Sequence, residues 1–242
     1  MAKRTGLGNR LAVAGFDISG DVGVVDRLGG GPAALESTGL DKFGMERLGG
    51  RLEAAAEFTA FFNPAADAAH EVLSTLPRTT EGLLYALGDT LGEYSAGMVG
   101  KRIDYAGERD EEGNLRFEVQ SLSDGFGLHW GQLLTPWPRA DGATPTTGAS
   151  LDNTAASTEG LTAFLQVFAI ASGSATVAIQ SSSDNAVGDP FATITGGTFA
   201  AVTAVGSERI ATADDQSVER YLRVVTTGTF TGLSFVVMVA RG

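Results

Sequence analysis

Glycine most limits the fold open to this chain: it supplies 33 of 242 residues, about twice the usual share of roughly 7%. Glycine gives up more backbone freedom than any other residue on entering a helix or strand interior, so a chain interrupted this often is built from short segments and many turns. In the second half the segments are β-branched or aromatic, at 161–171, 175–180, 191–194, 199–205, 209–212, 218–227 and 233–240, divided by Gly, Ser, Asp or Asn. That pattern predicts an all-β sandwich. In the last segment Phe235, Val237 and Val239 face one way and Val236, Met238 and Ala240 the other, so both faces are buried or one meets a partner.

The first half is also mainly β. Leu52, Ala54, Ala56, Phe58, Ala60 and Phe62 recur at period two, with Glu53, Glu57 and Thr59 between them, which predicts a half-buried strand. It ends at Asn63-Pro64, where Asn63 is suited to cap a helix and Pro64 to open one. Ala65, Ala69, Val72, Leu73 and Leu76 then form one stripe up to Pro77, predicting a helix of about three turns over 64–76. Further strands are expected at 10–13, 16–19, 83–87, 98–105, 115–121 and 126–134. The stretch GGGPAALESTGLDKFGMERLGG, residues 29–50, has no sustained period and reads as a long loop, a kind of segment that is usually functional or disordered.

Pro136, Pro138 and Pro145 punctuate a Thr-, Gly-, Ala- and Asp-rich stretch that marks a seam. The expected division is a first domain at 1–140, a linker at 141–158 and a C-terminal β-sandwich at 159–242. Charge changes across the seam: residues 1–140 carry 13 basic and 20 acidic side chains and residues 141–242 carry 4 and 9, so most of the charged surface belongs to the first half.

The formal net charge of −12 argues against a protein that grips nucleic acid. No cysteine is present, which excludes disulfides, thiolate metal sites and thiol nucleophiles. The amino terminus lacks the apolar core of an export signal, and the longest apolar runs fall far short of the roughly 20 residues of a membrane span, so a soluble chain without membrane insertion is expected. His70 and His129 lie on distant segments and His70-Glu71 lacks the second histidine of a zincin motif. Asp110, Glu111 and Glu112 before Gly113-Asn114 lack EF-hand spacing and read as a solvated hairpin turn. Gly29-Gly30-Gly31-Pro32 is not followed by the Gly-Lys-Ser/Thr of a phosphate loop. No catalytic residue, metal site or cofactor is expected.

The opening TGLGNRLAVAGFDISGDVG, the stretch GGGPAALESTGLDKFGMERLGGRLEAAAEFTAFFNPAADAAHEVLSTLP, and the closing GLTAFLQVFAIASGSATVAIQSSSDN with VERYLRVVTTGTF resemble the major tail (tail tube) proteins of long-tailed, non-contractile, siphovirus-like phages, especially those infecting actinobacteria. The resemblance runs over nearly the whole chain. It implies a virion structural protein, not an enzyme, whose hexameric rings stack into a hollow tube that delivers DNA to the host. It implies as partners other copies of the chain, the tape measure and other tail proteins, and DNA in transit without specific binding, with a location in the virion tail after assembly in the host cytoplasm. In that family a β-sandwich or barrel flanked by a helix supplies strands that join between subunits into an inner barrel, and the strand at 52–62 with the helix at 64–76 matches this plan. The family also reaches the adjacent ring with a long loop between early strands. The matching positions are Gly29, Gly30, Gly31, Leu35, Leu40, Phe43, Met45, Leu48 and Gly50.

An acidic chain suits a conduit, since a wall that repels phosphates lets DNA slide. If the solvated face of the strand at 52–62 points inward, Glu53 and Glu57 are the candidate lumen charges; the alternative places both acids on an outer or intersubunit face. A minimal tube subunit does not need the C-terminal sandwich, which is expected to project outward as a decoration domain suited to binding host-surface glycan. Two rivals come from other classes: a carbohydrate-binding or adhesin-like protein with Trp130 and Trp137 as sugar platforms, and another virion part such as a capsid decoration or tail terminator protein.

Overall fold

The computed structural model describes residues 5–143 and 146–242, and these are mainly β. The chain opens with a hairpin of β1 (Arg10–Val13) and β2 (Phe16–Asp17), joined through Ala14 and Gly15 with φ of 55° and 89°, the signature of a type I′ turn. Gly15 is required a second time because a Cβ there would lie 2.5 Å from the backbone nitrogen of Gly206. Next come β3 (Val22–Glu36), β4 (Arg47–Phe61), helix α1 (Ala69–Leu73), β5 (Glu81–Ala86), β6 (Tyr94–Arg109), β7 (Leu115–Ser123), β8 (His129–Leu133) and β9 (Arg139–Asp141). The second half adds β10 (Leu151–Asp152), β11 (Leu161–Ala169), β12 (Ser172–Ser182), β13 (Ala192–Thr198), β14 (Gly206–Ala211), β15 (Tyr221–Thr231) and β16 (Leu233–Arg241).

These strands form two antiparallel sheets. The smaller runs β10–β15–β12–β13, and the main path of the larger runs β14–β11–β16–β8–β6–β5–β1–β2. This larger sheet curls, so that β14 and β11 lie over β5 and β2. Alternate residues of its strands therefore enter different cores. Leu165, Val237 and Val239 meet Val177, Ile179 and Val224 of the smaller sheet, while Phe164, Val236 and Met238 meet Ala12, Leu84 and Ala86 inside the curl. The other faces of β1, β5 and β6 send Leu11, Val13, Leu83 and Met98 into a third core with Ala54, Ala56, Phe58 and Val119 and the helix residues Val72 and Leu73. Both faces of β16 are buried because the first half of the chain covers one of them.

The seam read from composition thus crosses a continuous sheet. β16 pairs with β8 and β9, and the stretch 141–158 carries β10 and a bridge between Thr147 and Val225. The expected linker therefore carries ladder contacts to β15 and to Val218 at its described residues 147, 151–152 and 157. Three element-level expectations are corrected. The expected helix shortens to five residues, because Asp67 adopts a left-handed φ of 61° and Asp21 takes the Ala69 N–H at 3.0 Å, so the helix can start only there. The expected loop at 29–50 is mostly the distal part of the β3–β4 hairpin, with only 37–46 outside the strands. Segment 199–205 contributes one bridge, Val202 to Ala175, and no strand.

Candidate assembly surface

β6 has two roles along its length. Gly100 pairs with Glu81 of β5 on one edge and Ser123 of β7 on the other, and beyond it only the β7 pairing continues, to Arg109 opposite Leu115. β7 pairs with β4 and β4 with β3, giving a four-stranded antiparallel sheet ordered β3–β4–β7–β6. Among the described residues no strand pairs with the outer edge of β3 or with the Lys101–Arg109 edge of β6. Successive antiparallel pairings make these two open edges run in opposite directions.

One face of this sheet, through Ala54, Ala56, Phe58, Ala60 and Val119, is buried in the core. The other carries polar side chains. Asp26, Glu57, Asp104, Glu118 and Gln120 line a shallow cavity of about 300 Å³ on it. Glu57 accepts a hydrogen bond from Gln120 Nε2 at 3.1 Å and stands 3.5 Å from Arg27 Nη1. Thr59 donates to Asp26 at 3.2 Å. Glu53 and Glu57, the sequence's lumen candidates, both lie on this exposed side of β4, and sequence reasoning missed Asp26, Asp104 and Glu118 beside them. Only the pairing register brings these three together, and one strand's own alternation gives no sign of it.

Beyond β7 the β3–β4 hairpin continues as a two-stranded ribbon. Gly29, Gly30, Gly31 and Leu35 are in β3, Leu48 and Gly50 in β4, and Leu40, Phe43 and Met45 in the turn. Leu40 and Phe43 are as exposed as in an extended chain, and Leu35, Met45, Leu48 and Leu52 are each more than half exposed. The ribbon is a sheet edge with apolar side chains in water, an arrangement that soluble proteins keep for contact with another chain.

The proposed sugar platforms separate. Trp137 is buried and donates its Nε1–H to Asp17 at 2.7 Å, whereas Trp130 is 54% exposed. The histidines sit in different clusters. His70 lies among Phe62, Tyr105 and Phe117, with Nδ1 2.9 Å from the Tyr105 hydroxyl, and His129 packs on Phe164. Burial, then the neighbouring Arg209 charge, holds the His129 pKa below its usual value. No group of three or more His, Asp or Glu positioned for a metal occurs among the described residues, and no helix there is long and apolar enough to cross a membrane. The turn from Asp110 to Asn114 is the expected solvated hairpin turn, closed by Asp110 accepting from the Asn114 backbone and side-chain amides, each at 2.8 Å.

No protein-family model matches the chain, and no curated protein matches it. Among solved structures it is similar to a chain of the tail of an empty gene transfer agent particle with C6 symmetry, at 16% identity and a TM-score of 0.41, over 52% of this chain and 96% of that one. It is also similar to SPP1 Dit (gp 19.1), a hub protein of the adsorption apparatus of phages infecting Gram-positive hosts, at 10% identity and a TM-score of 0.34, over 97% of this chain and 99% of that one. A chain of the phage p2 baseplate in its activated conformation gives 8% identity and a TM-score of 0.35, over 97% and 98%. Likenesses this loose transfer no residue's role.

Proposed function

We propose that this chain is the tail tube subunit of a siphovirus-like phage, of the actinobacteriophage type, assembling as stacked hexameric rings around a DNA channel. One observation carries the reading: the sheet β3–β4–β7–β6 has two unpaired edges of opposite direction. An even number of alternating strands lets β6 of one copy meet β3 of the next antiparallel, so a ring of copies closes by pairing these two edges with each other. The polar face with Glu53, Glu57, Asp26, Asp104 and Glu118 then lines the lumen, where carboxylates keep DNA from adhering. The C-terminal sandwich would be the outer decoration, a reading supported by the smaller sheet packing on the core farthest from that face. The apolar ribbon tip reaches the adjacent ring, and the tape measure protein occupies the lumen before DNA does.

Negative-stain electron microscopy of concentrated purified protein tests the reading. Long hollow polymers of uniform width are expected, and a solution holding only compact monomers overturns it. A second reading has one observation in its favour: Trp130 and Tyr94, each more than half exposed, lie on the same face of adjacent strands β8 and β6, a surface suited to stacking a sugar ring. A glycan array that is silent for wild type removes it.

A further inference from the structure

We propose a specific register for the contact between copies: Glu108 of one copy stands opposite Arg27 of the next, and Tyr105 opposite Gly30. This rests on the tube reading and specifies how its ring closes. Within one copy, Arg27, Glu57, Gln120 and Asp104 form one row across the sheet, and Val24, Thr59, Glu118 and Ala106 another. The neighbouring β3 can meet β6 with these rows aligned or displaced along the strand. Displacements are even, since a shift by one residue exchanges the buried and exposed faces.

Charge and geometry then choose among them. With the rows aligned, Arg27 meets Asp104, but the strands run parallel to the tube axis, which a closed barrel does not allow. A shift of two brings Arg27 opposite the uncharged Ala106. A shift of four over a four-stranded repeat, at about 3.3 Å per residue and about 4.8 Å per strand, tilts the strands by about 35°, within the range of roughly 35–45° that barrels adopt. That tilt is the same for any number of copies in the ring. A shift of six carries the ladder past Pro32, which has no N–H to give.

The direction of the shift follows from strand lengths. β3 extends beyond the β7 pairing toward Glu36 but ends near it at Val22, so only a shift toward Glu36 keeps β6 paired from Asp104 to Arg109. The shift of four matches Arg109, Glu108, Gly107, Ala106, Tyr105 and Asp104 with Val25, Arg27, Leu28, Gly29, Gly30 and Gly31. On the exposed face Glu108 gains Arg27 as counter-charge. On the core face Tyr105 stands opposite Gly30, and Leu28 stands opposite Gly107, over which the Phe117 ring of the same copy already lies. The ladder stops where Pro32 ends one edge and the bulge between Arg102 and Asp104 ends the other.

The chain has no cysteine, so pairs introduced by mutation report the register directly. Gly29 has open space at its Cβ position and accepts the change. Tubes of Ala106→Cys/Gly29→Cys, assembled reduced and then oxidised, are expected to give a covalent ladder on gels, and tubes of Ala106→Cys/Val24→Cys or Ala106→Cys/Arg27→Cys are not. A ladder from either of the latter pairs in place of the first overturns the register and leaves the tube reading standing. Failure of the wild type to polymerise removes the tube reading and the register with it. Where the Gly29 variant does not assemble, charge reversal decides: Arg27→Glu and Glu108→Arg each lose tubes, and the double variant regains them. A double variant that stays unassembled overturns the register.

Discussion

Arg102 and Arg139 are charges in places where charge is costly, and both are held by partners that sequence order does not reveal. The Arg102 side chain, on β6, is almost fully buried. Its Nε and Nη2 donate to Glu81 at 2.8 and 3.1 Å, and Nη1 donates to the Val72 carbonyl at the end of α1. It therefore ties helix to sheet. Glu81→Ala removes the counter-charge and is expected to cost about 3 kcal/mol in urea unfolding, since the guanidinium stays buried; Arg102→Met, which removes the charge itself, costs less. Arg139 is similarly paired to Asp141 at 2.9 Å, and it donates to the Val224 carbonyl at 2.8 Å, joining the two sheets. At the surface, bidentate hydrogen bonds from Arg220, both 2.7 Å, and the Thr154 N–H lower the Asp152 pKa to about 2. Because the folded value lies below the unfolded one of about 3.9, the clamp between β10 and β15 is complete above pH of about 4 and is lost as pH falls through about 2. Carboxyl NMR should give a midpoint of about 2 for Asp152, returning toward about 3.9 in Arg220→Gln.

At the scale of elements, the strands most legible in the sequence were those with one wet and one dry face, or with an apolar run bounded by turns. Segment 10–13 matches β1 to the residue, and Phe58 and its alternating alanines are buried as the period predicts. The β3–β4 ribbon was not legible for a physical reason. Exposed on both faces, it has no dry side to impose alternation, and three consecutive glycines in β3 leave no side chains to alternate. The ladder alone holds it extended, and a ladder is a property of two strands. The helix was overestimated because an apolar stripe reports which residues are buried and not where the backbone turns, and Asp67 turns it. Since the side chains at the ribbon tip touch little in the single chain, Leu40→Ser/Phe43→Ser should change unfolding free energy by less than about 0.5 kcal/mol. In the tube reading the same variant yields short or no polymers, scored by electron microscopy. Full-length tubes from this variant would remove the ribbon from ring-to-ring contact.

For the whole molecule, the compositional seam and the structure give different expectations on unfolding. Two domains joined by a linker would melt separately, and removal of 151–242 would leave a sound first half. The fold places β16 between β11 and β8, and the core shared by Phe164, Met238, Leu84 and Ala12 takes residues from both ends of the chain. Composition could not reveal this, because a buried strand such as β16 has the same apolar run whether its second face meets a partner molecule or another part of its own chain. One calorimetric transition with equal van't Hoff and calorimetric enthalpies is therefore expected. Met238→Ala, which empties volume in that shared core, should lower stability by about 2–5 kcal/mol and weaken amide protection in β5 and β11 together. Truncation after residue 150 should give an insoluble chain, since it strips the cover from Leu84, Ala86 and Leu133, so loss of tubes in that truncation says nothing about decoration. The decoration role is tested instead by substitutions in the exposed loop between β12 and β13, such as Val187→Asp, which is expected to leave tubes intact. Two separated melting transitions would show that the halves fold independently, and the truncated chain would then be a fair test of assembly after all.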